Sequence, residues 1–205
     1  KIKPISDFRY EKRIAYAGVA DEFFPSLTEL KSVKYIASKF PNYQVIYFPY
    51  VELHVFYEIE KKLSVFSNIK VVQHSQSMTD LFGCSKPNIE KEIKSHIEKL
   101  QGLDVFVMSY LTSMCLEASL ISKCPIIANF IDDFGILNKR NLDLFPKEIG
   151  LNALEAKSYD QLIEHISYCL SVPGGSKLRE NHLFWDSNLP LEKSVSLIFS
   201  KLETL

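Results

Sequence analysis

Residues 109–117 bring three serine or threonine hydroxyls and one carboxylate close together in the sequence. Ser109, Thr112 and Ser113 precede or open an apolar helical segment, and Glu117 lies one turn after Ser113 on the same helix face. The start of a helix offers free N–H groups that bind phosphate, and a carboxylate accepts hydrogen bonds from sugar hydroxyls. The spacing therefore favours a site for a phosphate and a sugar. In the alternative interpretation the hydroxyls only cap the helix, and Glu117 is a structural carboxylate bonded to backbone amides.

Two short apolar runs flank this segment, LDVFVM before it and CPIIANF after it. Such runs are typical of strands buried on both faces of a parallel sheet. The helix predicted between them, residues 112–123, has apolar residues nearly all round it: Leu111, Met114, Leu116, Ala118, Leu120 and Ile121. We therefore expect it to be buried, and Glu117 then needs a partner because an unpaired buried charge is costly.

The rest of the chain alternates between strand and helix patterns. Strands are predicted at 13–20, 44–49 (ended by Pro49), 69–74 and 149–154, and helices at 25–40, 51–66, 89–100, 158–170 and 191–202. This alternation predicts an α/β Rossmann-like three-layer sandwich, with a mostly parallel, doubly wound sheet of about six strands. Residues 1–12 are interpreted as a lead-in or inter-domain linker, and residues 13–205 as the Rossmann-like domain.

Ligands of such sheets bind at the carboxyl ends of the strands. The candidate segments are therefore residues 18–21, 47–50, 73–77, 109–113 and 129–133, at the ends of the predicted strands. Within them, Gly18, Gln73 and His74 are candidate ligand contacts. The alternatives are a plain turn glycine and a surface histidine. Asp132 and Asp133 follow the fifth strand. One interpretation is that they bind a metal, and the alternative is that they lie in a solvated loop or cap a helix.

Composition and motifs exclude several functions. The formal net charge of −1 gives no reason to expect nucleic acid as a partner. The GxGxxG, GxxxxGK[ST] and GxSxG motifs are absent, which disfavours dinucleotide-dependent dehydrogenases, P-loop NTPases and α/β-hydrolases. Four separated cysteines and five histidines show no metal-ligand spacing, so we expect no metal and no cofactor. The cysteine pattern and the lack of a run of about 18 apolar residues indicate a cytoplasmic protein.

The run DVFVMSYLTSMCLEASLISKCPIIANF resembles the nucleotide-binding C-terminal domain of GT-B type glycosyltransferases and the related glycerophosphotransferases. The residues that match its pattern are Asp104, Ser109, Thr112, Ser113, Glu117, Ala118, Pro125 and Ile126. The resemblance implies that the hydroxyls hold the donor phosphates and that Glu117 binds ribose. It also implies that the VVQHSQS segment, with Gln73 and His74, meets the nucleobase.

From this resemblance we expect a domain that binds a nucleotide-diphosphate sugar as the donor. The sugar is then expected to be transferred to a glycan, surface-polysaccharide or lipid-linked acceptor. It implies a further N-terminal Rossmann-like domain in the full protein and, at most, a peripheral location at the inner face of the membrane. No catalytic residue is predicted. The chain has no basic residue in AGVADEFF, and Ser109 takes the position of the first glutamate of the E-x7-E pattern. A non-catalytic Rossmann-like binding module and a nucleotide-sugar epimerase are the alternatives.

Overall fold

The computed structural model describes residues 12–20, 27–51, 53–73, 94–95, 97–109, 114, 118, 121–122, 124–131 and 153–171. Nine elements lie within these ranges: β1 (Arg13–Ala20), α1 (Leu27–Lys39), β2 (Gln44–Tyr50), α2 (Leu53–Leu63), β3 (Ile69–Val71), β4 (Val105–Met108), β5 (Ile126–Asn129), β6 (Leu154–Ala156) and α3 (Tyr159–Ser171). The described residues at 94–100 and at 114–122 are helical as well. The final helix predicted at 191–202 and the lead-in up to residue 11 lie outside the described residues.

The six strands form one parallel sheet in the order β3-β2-β1-β4-β5-β6. The predicted Rossmann-like α/β architecture with a parallel, doubly wound sheet is thereby confirmed. The chain runs outward from β1 to β3, crosses to the other side of β1, and then runs outward from β4 to β6. This order leaves β1 and β4 as neighbours at the centre of the sheet.

The prediction that Pro49 ends the second strand is wrong, because β2 continues to Tyr50. The N–H of Val45 and the carbonyl of Tyr47 both bond toward the β3 side. Position 49 faces the same side, since strand residues alternate with a period of two. The pairing of β3 with β2 ends at Tyr47. The N–H that proline lacks is therefore not needed for a ladder bond there.

Alternate strand residues supply two separate hydrophobic layers. On one face, strand residues such as Ile14, Val45 and Val107 pack against α1, α2 and α3. On the other face, Ala15, Phe106 and Ile126 and their neighbours pack against the helical residues Leu100, Met114 and Ala118. Helices on both faces explain why all four residues of β4 and of β5 are buried.

A buried asparagine holds the amino-terminal edge of the sheet together. The Nδ2 group of Asn68 donates to the carbonyl oxygens of Ala37, Phe40 and Tyr43, at 3.0, 3.1 and 3.3 Å. These carbonyls belong to the last turn of α1 and the turn that leads into β2. Asn68 thus satisfies helix-end acceptors that have no intrahelical partner.

Ser158 caps α3 as predicted, because its Oγ accepts from the N–H of Gln161 at 3.2 Å. In the reciprocal direction, Gln161 Oε1 accepts from the N–H of Lys157 at 2.8 Å.

None of the helices in the described ranges has the length and apolar character needed to cross a membrane.

Candidate functional site

The carboxyl ends of β1 and β4 meet where the strand order reverses, which is where open parallel sheets bind ligands. Ala17 of β1 pairs with Met108 of β4. One residue further, the N–H of Ser109 donates to the carbonyl of Ala17 at 3.1 Å. Gly18 and Ser109 therefore follow the last residues through which β1 and β4 pair with each other. The topology brings these two predicted site residues together.

Of the other predicted residues, Gln73 lies within the described part of the chain and away from the central crevice. Gln73 follows β3, which β2 separates from β1, and its carbonyl accepts from Lys99 Nζ at 3.3 Å. The remaining candidates lie outside the described residues: His74, Thr112, Ser113, Glu117, Asp132 and Asp133. Gly18 and Ser109 are thus the predicted contacts whose surroundings at the central crevice can be analysed.

Gly18 is in contact with a carboxylate of its own chain. A Cβ at this position would lie 2.6 Å from Glu29 Oε2 and 3.3 Å from the Tyr47 hydroxyl. Gly18 lies inside β1, and among the described glycines only Gly102 has a positive φ. A turn therefore does not explain Gly18. The glycine is required because it lets the Glu29 side chain approach the strand backbone.

Glu29 lies in the first turn of α1 and is only 1% exposed. The Tyr47 hydroxyl donates to its Oε2 atom at 2.9 Å. A negative charge at this position is favoured by the partial positive charge at a helix start. Burial raises the pKa of Tyr47 well above its ordinary value, and the neighbouring Glu29 carboxylate and Tyr16 raise it further. The pair therefore keeps a neutral phenol beside the carboxyl group at neutral pH.

A second set of buried polar groups links the crevice strands. The Tyr16 hydroxyl lies 2.5 Å from Ser109 Oγ. Asn129 Nδ2, at the end of β5, donates to the Tyr16 hydroxyl at 2.9 Å and to Ser32 Oγ on α1 at 3.2 Å. All four side chains are fully buried. We call these residues, Tyr16, Ser32, Ser109 and Asn129, the edge network.

Glu29, Tyr16 and Ser32 were not predicted from the sequence, whereas three of the segments predicted to lie at strand ends begin with Tyr47, Ser109 and Asn129. One signal was available for Glu29, because it precedes Val33 by four residues and so lies on the same face of the predicted helix as that apolar residue. A carboxylate on an apolar face requires a buried partner. Tyr16 gave no comparable signal, since aromatic residues are common in ordinary strands.

The chemistry of the described site is that of hydroxyl, amide and carboxyl hydrogen bonding. In the part of the chain that the structure describes, no cluster of three or more His, Cys, Asp or Glu side chains is placed to hold a metal ion. The arrangement fixes the ends of the central strands relative to α1 and β5 by buried hydrogen bonds.

Comparison with solved structures agrees with the fold. The chain is similar to S. aureus TarM, which was solved as a variant in complex with fondaparinux, α-GlcNAc-glycerol and UDP. The identity is 13% and the TM-score is 0.50, and the match covers 97% of this chain and 37% of that chain. It is also similar to the C-terminal domain of the glycosyl transferase group 1 family protein LpcC from Francisella tularensis, at 16% identity and a TM-score of 0.48 over 84% and 80% of the two chains. WaaG, a glycosyltransferase involved in lipopolysaccharide biosynthesis, is similar at 12% identity and a TM-score of 0.48 over 91% and 47%.

The chain thus spans less than half the length of TarM and of WaaG. No protein-family model and no curated protein sequence matches it. At these identities the likeness concerns the fold alone. That fold is the Rossmann-like α/β architecture that the sequence predicted.

Proposed function

We propose that the chain is the donor-binding domain of a glycosyltransferase and binds a nucleotide-diphosphate sugar at the crevice between β1 and β4. One observation carries this proposal: Ser109 follows β4 and Gly18 lies near the carboxyl end of β1, at the point where the strand order reverses. In doubly wound sheets this point is the usual ligand position.

The proposed contacts follow the order of the ligand's groups. The Ser109 hydroxyl and the hydroxyls and N–H groups of Thr112 and Ser113 bind the phosphates, and Glu117 accepts hydrogen bonds from the ribose. Gln73 and His74 contact the nucleobase. Preorganised donors at the phosphates would also stabilise the nucleotide diphosphate as it departs during transfer. The acceptor, a glycan or a surface-polysaccharide or lipid-linked saccharide, would bind to the further N-terminal domain that the resemblance implies.

Titration calorimetry with UDP, CDP and GDP tests the proposal. UDP is the first choice, because TarM was solved with it. We expect one nucleotide to bind, and we expect Glu117→Ala to weaken its binding by at least about tenfold, since a lost hydrogen bond to a charged group costs about 1.5 kcal/mol or more. Glu58→Ala is the matched control, because Glu58 is an exposed carboxylate on α2. Helix α2 packs on one face of the sheet, and the helical residue Met114 packs on the other.

Two results would contradict the proposal in different ways. Equal binding by a folded Glu117→Ala variant and by the parent would remove the ribose assignment while leaving donor binding in place. The absence of heat with all three nucleotides at millimolar concentration would overturn donor binding itself.

The second candidate function is a non-catalytic Rossmann-like binding module, and the position of Glu29 favours it. Its carboxyl group lies beside Gly18, at the strand end where many GT-B enzymes carry a basic residue that neutralises the pyrophosphate. A like charge near a diphosphate weakens its binding. The same titration separates the two functions, and Glu29→Gln sharpens it. If donor binding occurs against this repulsion, the neutral variant should bind the nucleotide more tightly than the parent.

A further inference from the structure

Tyr50 combines an exposed aromatic ring with a place at the ligand-binding edge of the sheet. It is the last residue of β2, at the carboxyl end of the strand, and it is 43% exposed. The other large hydrophobic side chains that are similarly exposed among the described residues are Tyr57 on α2, Val65 just after α2 and Tyr168 on α3. Single exposed apolar side chains are ordinary on a protein surface. The position of Tyr50, rather than its exposure alone, is therefore the informative feature.

The backbone that carries Tyr50 is held in the sheet. The pairing of β1 with β4 ends at Ala17, and after an irregularity in β1 its pairing with β2 resumes between Ala20 and Tyr50. Strand residues alternate between the two faces of a sheet, so Tyr50 lies on the same face as Phe48, in the layer that also contains Met114. The ring is thus carried by a strand, which positions a binding group more precisely than a loop does.

The strand order places Tyr50 between the proposed contacts for the two ends of the nucleotide. The proposed phosphate contacts follow β4, and the proposed nucleobase contacts begin with Gln73 after β3. In the order β3-β2-β1-β4, the ends of β2 and β1 lie between these two places, at a spacing of about 4.8 Å per strand. The last pair between β2 and β3 is Tyr47 with Val71, and both Tyr50 and Gln73 lie beyond it on the carboxyl side. A nucleotide that extends from β4 to β3 therefore passes the end of β2, where Tyr50 lies.

We propose that Tyr50 binds the donor by stacking its ring on the face of the nucleobase. This inference rests on the proposed function. Every nucleobase has a π-face, so a stacked ring contributes affinity whichever base the donor carries. Tyrosine has only two side-chain torsions and therefore loses little conformational freedom on binding. Stacking on Tyr50 supplies affinity, whereas the choice of base is left to the contacts of Gln73 and His74.

An exposed tyrosine that binds no ligand is the competing explanation. Tyr168 supplies the matched control, because it is 53% exposed and lies near the amino edge of the sheet. It belongs to the last turn of α3. In that turn the carbonyl of Leu170 accepts from the ammonium group of Lys12, which directly precedes β1. Replacing this ring removes a similar exposed aromatic surface at a position that the donor site does not involve.

The experiment compares two changes of the Tyr50 ring. Tyr50→Leu removes the aromatic face and keeps an apolar side chain, whereas Tyr50→Phe keeps the face and removes the hydroxyl. UDP, CDP and GDP are titrated by calorimetry into the parent, into both variants and into Tyr168→Leu. For the nucleotide that binds, we expect Tyr50→Leu to weaken binding by about tenfold, the effect of one lost stacking contact. Tyr50→Phe and Tyr168→Leu should bind this nucleotide like the parent.

Nuclear magnetic resonance of the bound nucleotide detects the contact directly and does not depend on whether Tyr50→Leu folds. In the parent we expect nuclear Overhauser effects between the ring protons of a tyrosine and the protons of the nucleobase. Tyr50→Phe should remove these tyrosine contacts while its affinity stays that of the parent, since a phenylalanine ring also stacks.

The inference is overturned if Tyr50→Leu binds like the parent, if Tyr50→Phe loses as much affinity as Tyr50→Leu, or if Tyr168→Leu does. Contacts between tyrosine and nucleobase that are absent in the parent, or that persist in Tyr50→Phe, overturn it as well. A parent that binds none of the three nucleotides overturns the proposed function and this inference together, whereas the other results leave donor binding intact.

Discussion

Two buried asparagines lie at opposite edges of the same parallel sheet and use their amides differently. Asn68, at the amino edge, donates to three backbone carbonyls of one local segment. Asn129, at the carboxyl edge, donates to the side chains of Tyr16 and Ser32, which come from two different elements, and accepts one backbone N–H. The first asparagine completes a turn, and the second joins side chains that are distant in sequence.

The difference shows which buried polar groups the fold itself requires. Backbone carbonyls are present whatever the sequence, and they must be satisfied when buried, so Asn68 meets a general need of the chain. Tyr16, Ser32 and Ser109 are polar because of their side chains, and apolar residues of similar shape could fill the same volume at little cost in stability. The carboxyl edge therefore contains polar groups that folding does not demand, at the edge where ligands bind. This contrast can be tested at several positions.

The largest effect is expected for the glycine of the carboxyl edge. Gly18→Ala places a Cβ 2.6 Å from Glu29 Oε2, so the carboxylate must move out of its buried position. We expect the free energy of unfolding to fall by about 2–3 kcal/mol, as in other overpacked sites, when measured by urea denaturation.

Gly102→Ala is the matched glycine of the amino edge. Its φ is +75°, and the nearest atom to an added Cβ, Arg13 Nη1, is 3.8 Å away. Only backbone strain opposes that substitution, and we expect this strain to lower the free energy of unfolding by about 1–2 kcal/mol. A smaller loss for Gly18→Ala than for Gly102→Ala would contradict the contact between Gly18 and Glu29.

The next effect concerns the hydrogen bond between Tyr47 and Glu29. Tyr47→Phe removes the donor to a buried carboxyl group, and we expect a loss of about 2 kcal/mol in unfolding free energy. Tyr43→Phe, at a half-buried tyrosine of the amino edge, should change it by less than about 0.5 kcal/mol. Equal losses for the two variants would mean that the hydroxyl of Tyr47 contributes no more than an ordinary tyrosine hydroxyl.

At the amino edge, Asn68→Ala should destabilise the protein by about 1–2 kcal/mol, because it leaves carbonyls at the end of α1 without their donor. Hydrogen exchange should accelerate at Phe40, whose N–H bonds to the carbonyl of Ile36 at 2.9 Å. Exchange at Ser109, at the other edge, should accelerate only as far as global unfolding does. A selective increase at Ser109 would show that the two edges are not independent.

The smallest effect is absent at neutral pH and develops in alkali. The pKa of Tyr47 is raised above 10.0 by burial and by Glu29, so the folded protein retains this proton when an unfolded tyrosine has lost it. Burial also raises the pKa of Cys169 from 9.0 to about 11. Each protonated group therefore contributes fully to the free energy of unfolding when the pH is below its unfolded pKa. This contribution declines as the pH rises above 9 for Cys169 and above 10 for Tyr47, and it is lost as the pH passes the folded pKa.

Urea denaturation between pH 8 and pH 11 separates the two contributions. Cys169→Ala should remove the part of the decline that begins near pH 9, and Tyr47→Phe the part that begins near pH 10. A decline that starts at the same pH and has the same slope in the parent and in both variants would assign it to other groups.

The sequence predicted the elements well because their signals are local. Apolar runs such as VFVM and IIAN indicate strands buried on both faces, and both runs are strands in the structure. The stripe of α1 and the cap of α3 are likewise readable within one or two turns. The end of β2 was misjudged because the effect of Pro49 depends on where β3 stops, which lies in another part of the chain.

The candidate site was predictable as a place and not as a set of contacts. The rule that ligands bind at strand ends selected segments that include Gly18, Ser109 and Asn129, and the structure places all three at the carboxyl edge of the sheet. It could not identify their neighbours, since Tyr16 and Ser109 are 93 residues apart and Asn129 and Tyr16 are 113 apart. No pattern of fixed spacing links residues that meet only when four elements pack together.

The sequence alone thus determined the alternation of strands and helices, the parallel sheet and the edge at which a ligand is expected. These properties follow from hydrophobic periodicity and from the few connections that parallel strands allow. The tertiary structure decided why position 18 is a glycine, where the Glu29 carboxyl group is buried, and which side chains join Ser109 in the edge network. Those features depend on contacts of a few ångströms between distant residues, and only packing sets such distances.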